Sequence, residues 1–150
     1  MTAKEVVREV ICLLKGGKKW GKGAYMRTAD NRHLYASNPQ TKQAAKFCLL
    51  GAAHRVLGLT EFASSHPVIR EFSELVRDSL PKAKLDQIKT SSYVTKNYDV
   101  EANAYVDDPG GYVVGFNDGG STSFEEIERV LARALVRKPR RTKKAKQPTA

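Results

Sequence analysis

Cationic side chains are the residues of this chain whose number and spacing could do chemistry, and that chemistry is the capture of anions. Seven of the ten residues at 137–146 are basic (Arg137, Lys138, Arg140, Arg141, Lys143, Lys144 and Lys146) and none is acidic. They carry most of the formal net charge of +10, and without them the chain holds +3. Such a run has too little apolar surface to offset the entropy of ordering. Residues 137–150 are therefore expected to form a flexible basic arm that seeks polyanions, nucleic acid first. A second basic stretch, Gly16-Gly17-Lys18-Lys19-Trp20-Gly21-Lys22-Gly23, sets Lys18, Lys19 and Lys22 around Trp20. Amines beside an indole suit a phosphate backbone or a stacked base, with Trp20 folded onto the core as the alternative. The stretch stops one residue short of a nucleotide-binding phosphate loop. Gly23 stands where a magnesium-binding hydroxyl belongs, and a helix rather than a strand precedes it, which argues against nucleotide hydrolysis.

Other chemistry is thinly supplied. Cys48 and His54 are six positions apart, which on a helix separates them by about 120° and about 9 Å, no geometry for a nucleophile and its base. The three histidines and two cysteines show no metal-ligand spacing. Asp99, Glu101, Asp107, Asp108 and Asp118 gather in one region but lack the alternation of a calcium loop. They read better as turn residues, or as an acidic face that locks the basic loop. No catalytic residue, metal site or cofactor is expected, and the chain reads as a non-enzyme.

The elements that must position these residues are mainly helical. Thr2 and Glu5 form a capping box before Val6, Val7, Val10, Ile11, Leu13 and Leu14, and Gly16-Gly17 ends that helix. A loop with short extended pieces runs to Pro39. Asn38 as cap and Pro39 as first residue open a second helix, apolar on nearly every side over residues 44–57 and hence central. Gly51 within it implies close packing by another element. Pro67 starts a third helix, which ends before Pro81, and Ser123 with Glu126 caps a fourth. Between them, Leu85 and Ile88 could extend a helix briefly. Tyr93-Val94, Tyr105-Val106 and residues 112–116 look extended, with turns at 108–111 and 117–120. The expected architecture is a mainly α, four-helix compact domain over residues 1–136, with a small β-hairpin or extended segments between residues 90 and 118.

One hundred and fifty residues suit a single domain. No apolar run approaches the roughly 20 residues that span a bilayer, and charges interrupt the N-terminal apolar positions, so a cytoplasmic protein with no membrane partner is expected. Cys12 and Cys48 each sit in a helical apolar pattern, as buried reduced thiols do.

Trp20, the run Phe47-Cys48-Leu49-Leu50-Gly51-Ala52-Ala53, and Phe116-Asn117-Asp118 ahead of Thr122 and the last helix resemble a family of small uncharacterised proteins of bacteria and tailed phages. There a tryptophan loop, a Phe-Cys-x-x-Gly-Ala helix and an Asn-Asp turn recur in this order. The resemblance covers about residues 3–136 and implies a mainly helical fold and a phage or prophage origin, with no activity to transfer. The basic loop and arm look like additions to that pattern. Two functions follow as expectations. The first is non-sequence-specific binding of nucleic acid, or of a nucleic-acid-bearing complex, through the arm and the Trp20 loop. The alternative is a phage-encoded protein-interaction factor that inhibits a host or defence complex.

Overall fold

Thr2 opens the first helix as the sequence requires: its hydroxyl accepts the Glu5 N–H at 3.2 Å and the Glu5 carboxylate takes the Thr2 N–H at 2.6 Å. The computed structural model of the chain describes residues 1–138. Helix α1 (Ala3–Leu14) buries Val6, Val7 and Val10 completely. Each such side chain contributes about 1.5–3 kcal/mol of transfer free energy. Left-handed Gly16 (φ 81°) and Gly17 (φ 78°) then turn the chain away. Gly17 has no room for a side chain, since a Cβ there would stand 2.9 Å from the Phe124 ring.

Among the described residues there are six helices rather than four, with two small antiparallel pairs of strands. After α1 come β1 (Met26–Arg27), β2 (Lys46–Phe47), α2 (Leu49–Val56), α3 (Pro67–Asp78), α4 (Lys82–Lys89), β3 (Lys96–Asp99), β4 (Ala104–Asp107), α5 (Pro109–Asp118) and α6 (Phe124–Val136). Helix α1 packs on α2, α3 and α6, while α5 packs on α2, α3 and α4, so α2 and α3 join the two groups. Phe72, Phe116, Leu14, Met26, Leu49, Ile69 and Ile127 are among the largest buried side chains of the core.

Three further expectations are corrected. The second helix does not begin at Pro39. The Asn38 side chain accepts the Gln40 N–H at 2.8 Å, closing a local turn, a second turn follows at 42–43, and β2 then leads to a helix that starts at Leu49. An Asn-Pro pair starts turns as readily as helices, and the apolar run conflated a strand with the helix after it. Residues 112–116 are not extended. They lie in α5, where Asp108 caps by accepting the Gly110 N–H at 3.2 Å and Pro109 occupies the first turn. Glycine disfavours a helix by about 1 kcal/mol, but here packing overrides propensity. A Cβ on Gly111 would stand 2.3 Å from the Tyr93 carbonyl oxygen, and one on Gly115 2.8 Å from Ile88. Lastly, Cys12 is exposed, because the buried face of α1 passes through residues 3, 6, 7, 10 and 14; Cys48 is buried as expected.

The hairpin between residues 90 and 118 is present as β3 and β4, with Tyr98 opposite Tyr105. Gly51 is tight for the expected reason: a Cβ there would lie 2.0 Å from the Tyr25 carbonyl oxygen. The basic residues Arg140, Arg141, Lys143, Lys144 and Lys146 lie outside the described residues.

Candidate nucleic-acid interface

Backbone pairing draws the loop after α1 into a layer. Phe47 pairs with Met26 on one side and bridges to Trp20 on the other, and Arg27 bridges to His33. The rows therefore run Trp20, Phe47, Met26-Arg27, His33, spanning about 14 Å at the usual strand spacing. Hydrogen bonds from Phe47 N–H to the Lys19 carbonyl (2.7 Å), Cys48 N–H to Tyr25 (3.2 Å) and Leu34 N–H to Met26 (3.2 Å) hold the rows together.

Side chains fasten this layer to the helices. Asn117, fully buried near the end of α5, uses its whole amide. Its oxygen accepts the Trp20 indole N–H at 2.8 Å and the Leu49 N–H at 3.1 Å; its nitrogen donates to the Gly21 carbonyl at 3.0 Å and to Asp118 at 2.9 Å. Asp118 accepts the Gly23 N–H at 2.9 Å, and the Lys22 amine donates to the Gly119 carbonyl at 2.6 Å while standing 5.4 Å from the Trp20 ring centre. On the far side, Arg55 of α2 donates to the Pro39 and Thr41 carbonyls at 3.0 and 2.9 Å.

Trp20 and Lys22 are thus part of the scaffold. The indole is half-buried against Phe124, ring centres 5.7 Å apart, and its N–H is taken by Asn117. Lys18 and Lys19 are exposed and form no ion pair among the described residues. Arg137 and Lys138 are exposed too, but they follow the C-terminal end of α6, whereas Trp20 meets Phe124 at its N-terminal end. Thirteen helical residues place the two groups about 20 Å apart.

The acidic residues are dispersed into separate structural tasks. Asp99 accepts the Glu101 and Ala102 N–H groups and meets Arg70 at 3.4 Å, and these contacts hold its carboxyl below the usual carboxylate range. Asp107 accepts the Tyr112 hydroxyl at 2.7 Å, Asp108 caps α5, and Asp118 secures the basic loop through a backbone amide. Among the described residues no three His, Cys, Asp or Glu side chains could hold a metal ion. The Cys48 thiol accepts the Gly51 N–H at 3.3 Å, and burial drives its pKa up to about 12, which opposes thiolate chemistry.

Two features of the loop, its basic and aromatic residues beyond Lys22, are legible in the sequence but were given no site role there. Residues 18–46 hold seven Lys or Arg against the single Asp30, a net +6, while the other residues up to 138 sum to −1. That imbalance is visible in the sequence, but hidden when only the whole-body charge of +3 is considered. The layer also exposes aromatic rings other than Trp20. Tyr35 is 84% exposed beside His33, ring centres 3.9 Å apart, and Tyr25 is 46% exposed while stacking on Phe62 at 4.7 Å. Two recesses share Tyr25 in their walls, one of 270 Å³ over Cys48 and Val114 and one of 250 Å³ over His54, Phe62 and Ile69.

Fold and site together define a small helical protein with a basic loop layer clamped against its core. The chain belongs to a family of unknown function, DUF6197, whose model matches residues 1–137. That span includes the Trp20 loop and stops before most of the basic run. No curated protein and no solved structure matches the chain. No helix among the described residues is long and apolar enough to cross a membrane.

Proposed function

We propose that this is a non-enzymatic binding protein that engages nucleic acid, or a nucleic-acid-bearing complex, through the basic layer of residues 18–46 and the basic run at 137–146. The observation that carries this reading is the segregation of charge: +6 on the layer against −1 on the rest of residues 1–138. A single-signed face steers and holds a polyanion. A layer fastened by Asn117, Asp118 and Arg55 presents Lys18, Lys19 and Lys42 with little further ordering cost on binding. In this reading Trp20 and Lys22 keep the layer in place, and contact falls to the exposed lysines, Arg137, Lys138 and the basic residues beyond. Phosphate contacts of this kind hold a strand without reading its sequence.

A salt titration of full-length protein on single-stranded oligonucleotide tests it. Replacing Lys18, Lys19 and Lys42 together by Ala is expected to reduce the log–log salt slope by about 2, since each phosphate contact counts about 0.7. An unchanged slope removes the layer from the interface.

One observation favours a second reading. Tyr98 and Tyr105 meet edge to face at 5.4 Å on the β3–β4 hairpin, both exposed, and Val100 between them is 81% exposed. Residues 96–107 carry one Lys against Asp99, Glu101 and Asp107, a net −2. An acidic, aromatic surface suits a protein partner better than phosphate. On that reading the chain is a protein-interaction factor, phage-encoded as the motif resemblance implies, that inhibits a host or defence complex. A partner retained on the protein after nuclease treatment supports it, and a partner released by nuclease returns the case to direct nucleic-acid binding.

A further inference from the structure

We propose that the 270 Å³ cavity beside Tyr25 seats one unpaired base of a single-stranded nucleic acid, a step that rests on the nucleic-acid reading of the layer. The cavity is lined by Tyr25, His33, Cys48, Val114 and Asp118 with the Gly23-Ala24 segment, so most of its wall belongs to the basic layer. Its size is slightly below the usual range for drug-sized ligands and suits one planar ring system.

The lining selects that ring by chemistry. Tyr25 has its ring backed by Phe62 at 4.7 Å, which holds it as a stacking surface. Cys48 is a neutral thiol at physiological pH, its pKa raised by burial, and with Val114 it supplies an apolar floor. Asp118 is the one carboxylate in the lining. One of its oxygens takes the Gly23 N–H and the Asn117 amide, while the other accepts no hydrogen bond among the described residues. A free carboxylate oxygen repels a phosphate or carboxylate ligand and accepts an N–H, which every nucleobase offers through an amino or imino group. Lysines outside the cavity have the opposite requirement. A ligand that meets both is a nucleotide with its base turned inward and its phosphates outward. A base paired and stacked in a duplex cannot enter without being extruded. The occupant is therefore a single strand, in the mode where stacking on aromatic side chains adds to phosphate contacts.

The test compares two single strands of equal length and charge on the full chain, one with bases and one made wholly of abasic residues. The base-bearing strand is expected to bind roughly 5- to 150-fold more tightly, the range one stacked base contributes. Val114→Phe, which fills the cavity from a partly buried position of α5, is expected to bring the base-bearing strand down to the abasic affinity, with a thermal melt confirming the fold. Should that variant not fold, the strand comparison decides alone. Equal, salt-dependent binding of both strands overturns the cavity proposal and leaves the nucleic-acid reading standing. Failure of both strands to bind at low salt overturns the two together.

Discussion

The indole nitrogen of Trp20 donates to the side-chain oxygen of Asn117 at 2.8 Å, across 97 positions of sequence. The same oxygen accepts the first amide of α2, from Leu49, so one buried amide ties the basic layer, α2 and α5 into a single joint. The residues on which the family resemblance rests therefore meet in space. Asn117→Ala is expected to destabilise the protein by about 3 kcal/mol, because it strands partly or fully buried donors that each cost about 1–3 kcal/mol when unpaired. Chemical denaturation measures this, and Trp20 emission should shift to the red as the indole loosens. A loss under about 1 kcal/mol means that the joint does not hold the layer.

Gly51 and Gly120 make a matched pair of substitutions. Alanine at Gly51 drives its methyl to 2.0 Å from the Tyr25 carbonyl oxygen, a rigid backbone atom, so either α2 or the layer must move. The expected cost is about 3 kcal/mol or more, at the upper end for overpacking. Alanine at Gly120 meets nothing within 4 Å, and its effect is expected to stay within about 0.5 kcal/mol of zero. Comparable midpoints for the two variants contradict the packing of α2 on the layer.

What was legible in the sequence was what local rules determine. The Thr2–Glu5 box, the Pro67 start of α3 and the Ser123 cap of α6 each rest on residues within one turn of one another. Helix α5 was hidden because three of its residues are glycines, and two of them, Gly111 and Gly115, are explained only by Tyr93 and Ile88 pressing from elsewhere in the chain. The start of α2 was hidden because its first amides are met by Asn117 and by a cysteine thiol rather than by a recognisable cap. The same distance in sequence concealed how the layer is joined to the helices. Trp20 invites a stacking role when read beside its lysines, and only the contact with Asn117 assigns it to the scaffold.

The two thiols differ in exposure and so in reactivity. Cys12 lies on the outer face of α1, whereas Cys48 is buried beneath the layer with its pKa raised to about 12. A thiol reagent at neutral pH is expected to modify Cys12 promptly in the native protein and Cys48 only after unfolding. Peptide mapping of the modified protein checks this. Prompt labelling of Cys48 would contradict its burial and its raised pKa.

His54 gives the stability a pH dependence of definite sign. Its buried ring sits 2.7 Å from the Leu50 carbonyl through Nδ1, and Nε2 accepts the Ala63 N–H at 3.1 Å. Both contacts are met only by the neutral ring protonated at Nδ1. A second proton would set two donors against each other, and burial, the largest cause, lowers the pKa from its ordinary 6.5. The unfolded chain therefore binds more protons than the folded chain between the lowered value and 6.5. The stabilisation is complete above that range and declines as pH falls through it, by at most about 1.4 kcal/mol per pH unit for one proton. Asp30, Asp99 and Glu5, whose carboxyls are held low by their hydrogen bonds, weaken stability only at more acidic pH, as they are protonated in turn. Urea unfolding between pH 7.5 and 5 should show the decline in the natural protein and a flatter profile in His54→Gln. A profile with the same slope in both assigns the proton to another group and removes the neutral His54 ring from the account.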